Sequence, residues 1–514
     1  LCRSETLLAD GDFDQTTGTH AYAPHTVDWT ASDPVWRGAK GKGLIGAMNY
    51  LASKGMNVVY MLTYNVDGDG DDVWPWTSKD ERLRYDVSKL DQWEVVLQHM
   101  ERKGLAAHFV LQETENGTGS VALDGGNLGL ERSVYLRELV ARFGHHLGVI
   151  WNLGEEATNS TSQLTDFHDR IRALDPWRNQ IVVHTFPAQK AQIWDPLLDD
   201  QLLEGGSLQN KAIADTHEVT LEWREESSTK GRPWAVMLDE HGPAQKGALP
   251  DAADPAHDGE RIDGLWGNLM AGGSGVEWYF GYDFPDDDLD CEDWRSRDLL
   301  WDMTRHGLTF FNEHLPFTDM LPRDDLVASG SAWCLANEGV TYALYLPGGG
   351  PVSLDLGGNT DSYTVRWFDP QNGGGLQDGS LTSVSGPGTV SLGSPPYEVG
   401  RDWAVRVKRV NAAPQVIQAA AAPSPFNGGD LTVSVRVRDA DGQADVRSVI
   451  VYYFAPDGTF LLALPAAPVF GSGDIWSVTL DDLPALPSGT WPVGLQVLDI
   501  EGASGVLLTQ FVAP

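Results

Sequence analysis

Between residues 40 and 315, short apolar runs alternate with longer amphipathic stretches. The runs are Val58–Leu62, Ala106–Leu111, Leu147–Leu153, Ile181–Val183, Ala212–Asp215, Trp234–Leu238 and Val276–Tyr279. Helical spacing of apolar positions marks Val87–Lys103, Glu131–Phe143, Ser162–Ala173, Arg261–Met270 and Arg297–Asn312. Lys54-Gly55, Lys103-Gly104 and Lys230-Gly231 read as helix C-caps, each feeding into the next strand. Repeated strand–helix units of about thirty residues imply a parallel sheet with helices outside. With a first strand near Leu7–Phe13 eight units fit, which predicts a closed (β/α)8 TIM barrel, of class α/β, over residues 1–316. A doubly wound open sheet is the alternative. No glycine-rich dinucleotide fingerprint follows an early strand, and that counts against it.

After Pro316 the pattern changes. Residues 317–410 are dense in Gly, Ser, Thr and Val, with alternating runs at Thr341–Leu346, Tyr363–Phe368 and Trp403–Val407 and no helical period. This predicts an antiparallel β-sandwich. Asn411–Asn427, rich in Ala and Pro, reads as a linker or a first edge strand. Alternation resumes at Leu431–Val437 and Ser448–Phe454, so residues 411–514 are expected to form a second, immunoglobulin-like sandwich.

Composition narrows the class. A chain of 514 residues is too long for one core, and 41% hydrophobic with 21% charged residues is ordinary for a folded protein. No run of about eighteen apolar residues is present, so no membrane span is expected. The net charge of -37, from 73 acids against 36 bases, repels nucleic acid phosphates and anionic membranes and suits solubility in salty surroundings. Only Cys2, Cys291 and Cys334 occur, without CxxC or Cys/His spacing. Neither a zinc site nor a redox centre is expected, and one disulfide at most can form within the chain. The N-terminal LCRSETLLADGDFD has no basic region followed by an apolar stretch. The expectation is a processed signal peptide, or a start inside a longer precursor, for a secreted, cell-surface or periplasmic bacterial protein.

In a barrel of this kind the chemistry belongs at the C-terminal ends of the strands. The fourth strand ends in Asn152-Leu153-Gly154-Glu155-Glu156 and the seventh in Asp239-Glu240-His241-Gly242. Two adjacent acids at a strand tip repel each other, which suits a carboxyl kept protonated as a general acid. The plainer reading is acids favouring a helix N-terminus. Strands four and seven face each other across an eight-stranded barrel, so carboxylates at their tips can flank a glycosidic bond. The other tips offer aromatic rings to stack on sugars, and Asn, Gln, Glu and His to hold hydroxyls. These are Tyr64, Asn65, Trp74 and Trp76 after strand two, Gln112 and Glu113 after strand three, and Glu155. His184 follows strand five, His217 strand six, and Trp278, Tyr279 and Tyr282 strand eight. The loop Asp67–Asp72 alternates acids with glycines, which would suit Ca2+, but lacks the closing Glu of an EF-hand. Solvated loop acids are the expected reading there, and no cofactor is required. No GxSxG elbow is present, against a serine esterase.

Trp151–Glu156, Arg232–Gly242 and Gly275–Tyr282 together resemble the apiosidase-like glycoside hydrolase barrels. The segment Tyr363-Thr364-Val365-Arg366-Trp367-Phe368-Asp369-Pro370 resembles the putative collagen-binding sandwich that commonly follows them. The likeness covers roughly residues 5–410 and implies a hydrolase of polysaccharide or oligosaccharide. The family pattern at strand four is Trp, two variable residues, Gly, a small residue, then an acid. It assigns the acid/base to Glu156, with Glu155 departing from the small residue, and the nucleophile to Glu240. The pairing of strands four and seven implies retention. A polysaccharide lyase would need Arg or Lys at the tips to neutralise a uronic acid, and these tips are acidic and aromatic. A non-catalytic carbohydrate-binding scaffold is the other alternative, and the presence of both glutamates counts against it.

Overall fold

The computed structural model describes residues 2–3, 21–68, 72–198, 202–287, 291–410, 413–439, 446–469, 472–499 and 504–514. Eight parallel strands run in sequence order: β1 Cys2–Arg3, β2 Val58–Leu62, β3 Ala106–Val110, β4 Val149–Asn152, β5 Gln180–His184, β6 Gly205–Asn210, β7 Ala235–His241 and β8 Gly275–Val276. Around them lie α1 Lys42–Ser53, α2 Val87–Lys103, α3 Leu130–Phe143, α4 Thr161–Leu174, α5 Lys190–Leu198, α6 Thr216–Thr229, α7 Gly267–Met270 and α8 Asp298–His314. A π-helical stretch, Gly259–Trp266, leads into α7. This is the expected (β/α)8 barrel. Its strands are apolar and buried along almost their whole length because helices cover the sheet, as a parallel sheet requires.

Local chemistry sets the helix ends. Asp86 accepts the Lys89 N–H at the start of α2, and Ser160 and Gln163 form a capping box on α4. Gly104 closes α2 with φ +77°.

Two strands differ from expectation. The strand expected near Leu7–Phe13 lies outside the described residues, and the strand that pairs with β2 is Cys2–Arg3. The sixth strand is Gly205–Asn210, whereas the apolar run at Ala212–Asp215 holds a 3-10 turn, Ile213–Asp215. The reason is steric. A Cβ on Gly205 would lie 2.2 Å from the Ala235 carbonyl oxygen, and one on Gly206 would lie 3.0 Å from the Trp194 ring. Close approach demands glycines here, and glycines hide the strand from a propensity reading.

The first β module forms two sheets. One contains β10 Val327–Ser329, β13 Ser353–Asp355 and β16 Thr389–Ser391. The other is ordered β15 Ser383–Ser385, β14 Ser362–Phe368, β17 Trp403–Arg409, β12 Thr341–Leu346, β11 Trp333–Asn337 and β9 Leu321–Pro322. The distal module is a seven-stranded antiparallel array, β18 Gln415–Ala422, β19 Gly429–Arg438, β20 Val446–Phe454, β21 Phe460–Pro468, β22 Ile475–Leu483, β23 Gly489–Asp499 and β24 Ser504–Ala513. Its alternating Val433, Val435, Val437, Val449, Val451, Val493, Leu495 and Val497 fill a core of its own. Within the segment read as linker or first edge strand, Gln415–Ala422 is the strand β18, at the end of the sheet order. By contact, Leu1–Thr360 with Thr364–Val407 form one compact unit, and Lys408–Pro514 with Asp361–Tyr363 form another.

Candidate active site

The tip of β4 is held from three directions. Asn152 Oδ1 accepts the backbone N–H groups of Gly154 at 3.3 Å and His184 at 3.1 Å, tying the ends of β4 and β5 together. Glu155 donates its N–H to the Gln112 carbonyl at 3.0 Å, and Ala157 donates to the His184 carbonyl at 3.0 Å. Thr114 Oγ1 donates to the Glu156 carbonyl at 2.8 Å. Between these anchors Glu156 adopts φ +41°, a left-handed conformation that a side chain enters only when its surroundings enforce it. Adjacent Glu155 and Glu156 thereby reach different places. Glu155 is 3% exposed and lies against His184, and Glu156 is partly open to solvent.

Strand β7 achieves something similar with a bulge. Leu208 pairs with Leu238 and Gln209 with Glu240, so Asp239 is an extra residue between two pairs. Successive strand side chains normally face opposite ways, and the extra residue re-aims the chain. Asp239 then accepts a hydrogen bond from Ser207 in the barrel interior, while Glu240 joins the upper group.

That upper group is Glu155, His184 and Glu240. One donor atom from each lies within 4.8 Å of the others, with His184 Nδ1 3.8 Å from Glu155 Oε1 and Nε2 3.9 Å from Glu240 Oε2. Gln209, the register neighbour of Glu240, donates from Nε2 to Glu156 Oε1 at 2.8 Å. Below them, His108 Nδ1 meets Glu277 Oε1 at 2.7 Å, and Asn152 Nδ2 reaches His108 Nε2 and Ser207 Oγ, both at 3.2 Å. His108, Asp239 and Glu277 are fully buried and, like the upper group, bring three donors within 4.8 Å, a spacing that could hold a metal ion.

The structure brings Glu155, Glu156, His184 and Glu240 together, with Gln112 bonded to Asn159 at 2.7 Å just behind. Glu113 caps the short helix after β3. Tyr64 and Trp76 are fully buried with ring centroids 5.1 Å apart, and burial lifts the Tyr64 hydroxyl to about 12. Asn65 is also fully buried, its backbone bridging to Val73. Trp74 is covered by the Lys89 ammonium, 4.9 Å above its ring. Trp278 is buried and donates its indole N–H to Thr304 at 2.9 Å, in α8, whereas Tyr282 is 47% exposed. His217 is not brought to the site. Because β6 ends at Asn210, His217 already belongs to α6, bonding the Gly267 carbonyl at 2.9 Å and Asp324 at 2.8 Å and stacking on Trp333. Gln209, His108 and Glu277 are residues that strand-tip reasoning missed, and Asn152 and Asp239, visible at the tips, carried no assigned role. Of the loop Asp67–Asp72, residues 69–71 lie outside the described residues, and Asp72 caps the Asp67 N–H at 2.9 Å.

Among the described residues no helix is long and apolar enough to cross a membrane. No protein family matches the sequence, and no curated protein does. Solved structures do. One described as a glycoside hydrolase aligns with a TM-score of 0.56 at 14% identity, over 74% of this chain and 91% of its own. A glycoside hydrolase of family 5 from Bacteroides vulgatus ATCC 8482 aligns with a TM-score of 0.55 at 16% identity, over 71% of this chain and 85% of its own. At such identities the likeness is one of fold alone.

Proposed function

We propose that the chain is a retaining glycoside hydrolase acting on a polysaccharide or oligosaccharide, with Glu240 as nucleophile and Glu156 as acid/base. The observation that carries this reading is the convergence of carboxylates from β4 and β7. Gln209, beside Glu240, holds Glu156, and Glu155 approaches Glu240 within 4.8 Å. Retaining enzymes keep their two carboxyls about 5 Å apart, inverting ones about 6.5 Å or more to admit a water. Glu155 and Glu240 stand on the narrower scale, and retention by Glu156 with Glu240 rests on the pairing of strands four and seven. Glu156 suits the acid because its partly open side chain can meet a leaving-group oxygen. Glu155, shut in beside His184, suits a supporting role that fixes the imidazole between two carboxylates. The likeness in fold to glycoside hydrolases agrees with this. The finer assignment to apiosidase-like barrels rests on the Trp151–Glu156 and Arg232–Gly242 segments, and secretion on the sequence alone.

Leaving-group chemistry tests the pair. Glu240→Gln is expected to abolish turnover with an unchanged melting point. Glu156→Ala should still cleave an activated aryl glycoside, fail on a natural sugar leaving group, and be rescued by azide. Azide rescue of Glu155→Ala instead would exchange the two roles. Rescue of neither variant would mean inversion, since no glycosyl-enzyme then exists for azide to intercept.

A further inference from the structure

Apart from the Glu155, His184 and Glu240 group, the chain from the loop after β7 into the π-helical stretch places Asp251, Asp254, His257 and Glu260 at three-residue intervals. His257 is fully buried and Glu260 is 7% exposed. Asp251 Oδ1 meets His257 Nε2 at 2.8 Å, which fixes the ring and commits that nitrogen. The other ring nitrogen, Nδ1, is buried without a hydrogen-bond partner. Donor atoms of Asp254, His257 and Glu260 all lie within 4.8 Å of one another. Asp254 turns Oδ1 to the N–H groups of Ala256 at 3.2 Å and His257 at 3.1 Å, bonds that leave Oδ2 aside.

We propose that Asp254, His257 Nδ1 and Glu260 form a binding site for one divalent first-row transition ion of the zinc class, with Asp251 orienting the imidazole. Donors at about 2.1 Å around a tetrahedral ion stand about 3.4 Å apart, so side chains whose donors already lie within 4.8 Å would draw inward on binding. A carboxylate on the far nitrogen of a ligating histidine is the usual outer support of such centres. The imidazole selects against Ca2+ and Mg2+, which take oxygen sets. The bound ion would pin the loop after β7 to the turn that starts α7.

The test uses the full chain stripped of metal, in a His145→Ala, His146→Ala background. That background removes the more open Glu94, His145, His146 cluster as a competing zinc site. Zinc is titrated against a chromophoric chelator and bound metal is counted, with the catalytic carboxylates intact throughout. Glu260→Gln and Asp254→Asn, close in shape to the originals, should each lose one zinc equivalent or at least tenfold in affinity. The background should gain about 2 °C or more in melting temperature at a hundredfold excess of zinc over Kd, and the two variants a clearly smaller rise. Ca2+ should give no rise. Equal zinc stoichiometry, affinity and thermal response in background and variants would overturn the site, and an equal response to Ca2+ would overturn its class.

Discussion

Glu156 shows how much of the site depends on a single contact. Its carboxylate hangs from a left-handed backbone and receives the Gln209 amide at 2.8 Å. A hydrogen bond to a charged group contributes about 1.5–3 kcal/mol, worth roughly ten- to a hundredfold in rate when it aims a reacting group. Gln209→Ala is therefore expected to lower kcat/KM on a natural glycoside by tenfold or more. It should do little on an activated aryl glycoside, which needs no general acid. Equal loss on both substrates would show that Gln209 serves binding or folding instead. Legibility at this scale divides cleanly. Glu155, Glu156 and Glu240 stand out because an apolar run ending in carboxylates makes no sense as packing. Gln209 does not, because Gly205 and Gly206, required by the Ala235 carbonyl and the Trp194 ring, erase the strand that carries it. The group at Asp254, His257 and Glu260 escaped a search based on cysteine and histidine spacing, since carboxylates supply two of its three donors.

Among the elements, periodicity located those whose burial is one-sided or complete. α2 spans Val87–Lys103 and β2 spans Val58–Leu62, as their patterns predict. The β7 bulge was invisible, because an extra residue changes register without changing composition. The packing of α2 against α1 carries a pH dependence. His99, 2% exposed on α2, meets Asn49 Oδ1 of α1 at 2.8 Å, and burial depresses its imidazole to about 4 from 6.5. The folded state thus binds this proton less readily than the unfolded chain. Its contribution to stability is complete above 6.5 and is lost as pH falls from there toward 4. Between pH 7 and pH 5 the loss is about 2 kcal/mol. Urea unfolding at the two pH values should show His99→Gln, which can still donate to Asn49, with a dependence weaker by about that amount. An unchanged dependence would mean that His99 is not held neutral.

Across the whole molecule, the barrel and the first β module share one core, whereas the distal module has its own. Trp266 stacks on Tyr345 at 4.6 Å and Phe310 meets Phe368 at 5.1 Å. Beside them Arg261 grips Asp402 through Nε at 3.0 Å and a terminal nitrogen at 2.9 Å, with both side chains 2% exposed. Tyr345 adds a bond to the same carboxylate at 2.7 Å. Removing one partner of a buried pair strands the other charge, at a cost of about 3–5 kcal/mol. Asp402→Ala is accordingly expected to lower the stability of the barrel itself, read as an earlier urea midpoint for both barrel and first module. Two separate transitions, with only the module shifted, would refute the shared core. Residues 411–514 should behave in the opposite way. They hold none of the candidate catalytic residues, and their valine-rich core closes on itself. Deleting them should leave kcat and KM on a short soluble glycoside unchanged within about twofold, a difference below 0.5 kcal/mol. A large fall in kcat on that substrate would mean that the distal module shapes the barrel mouth.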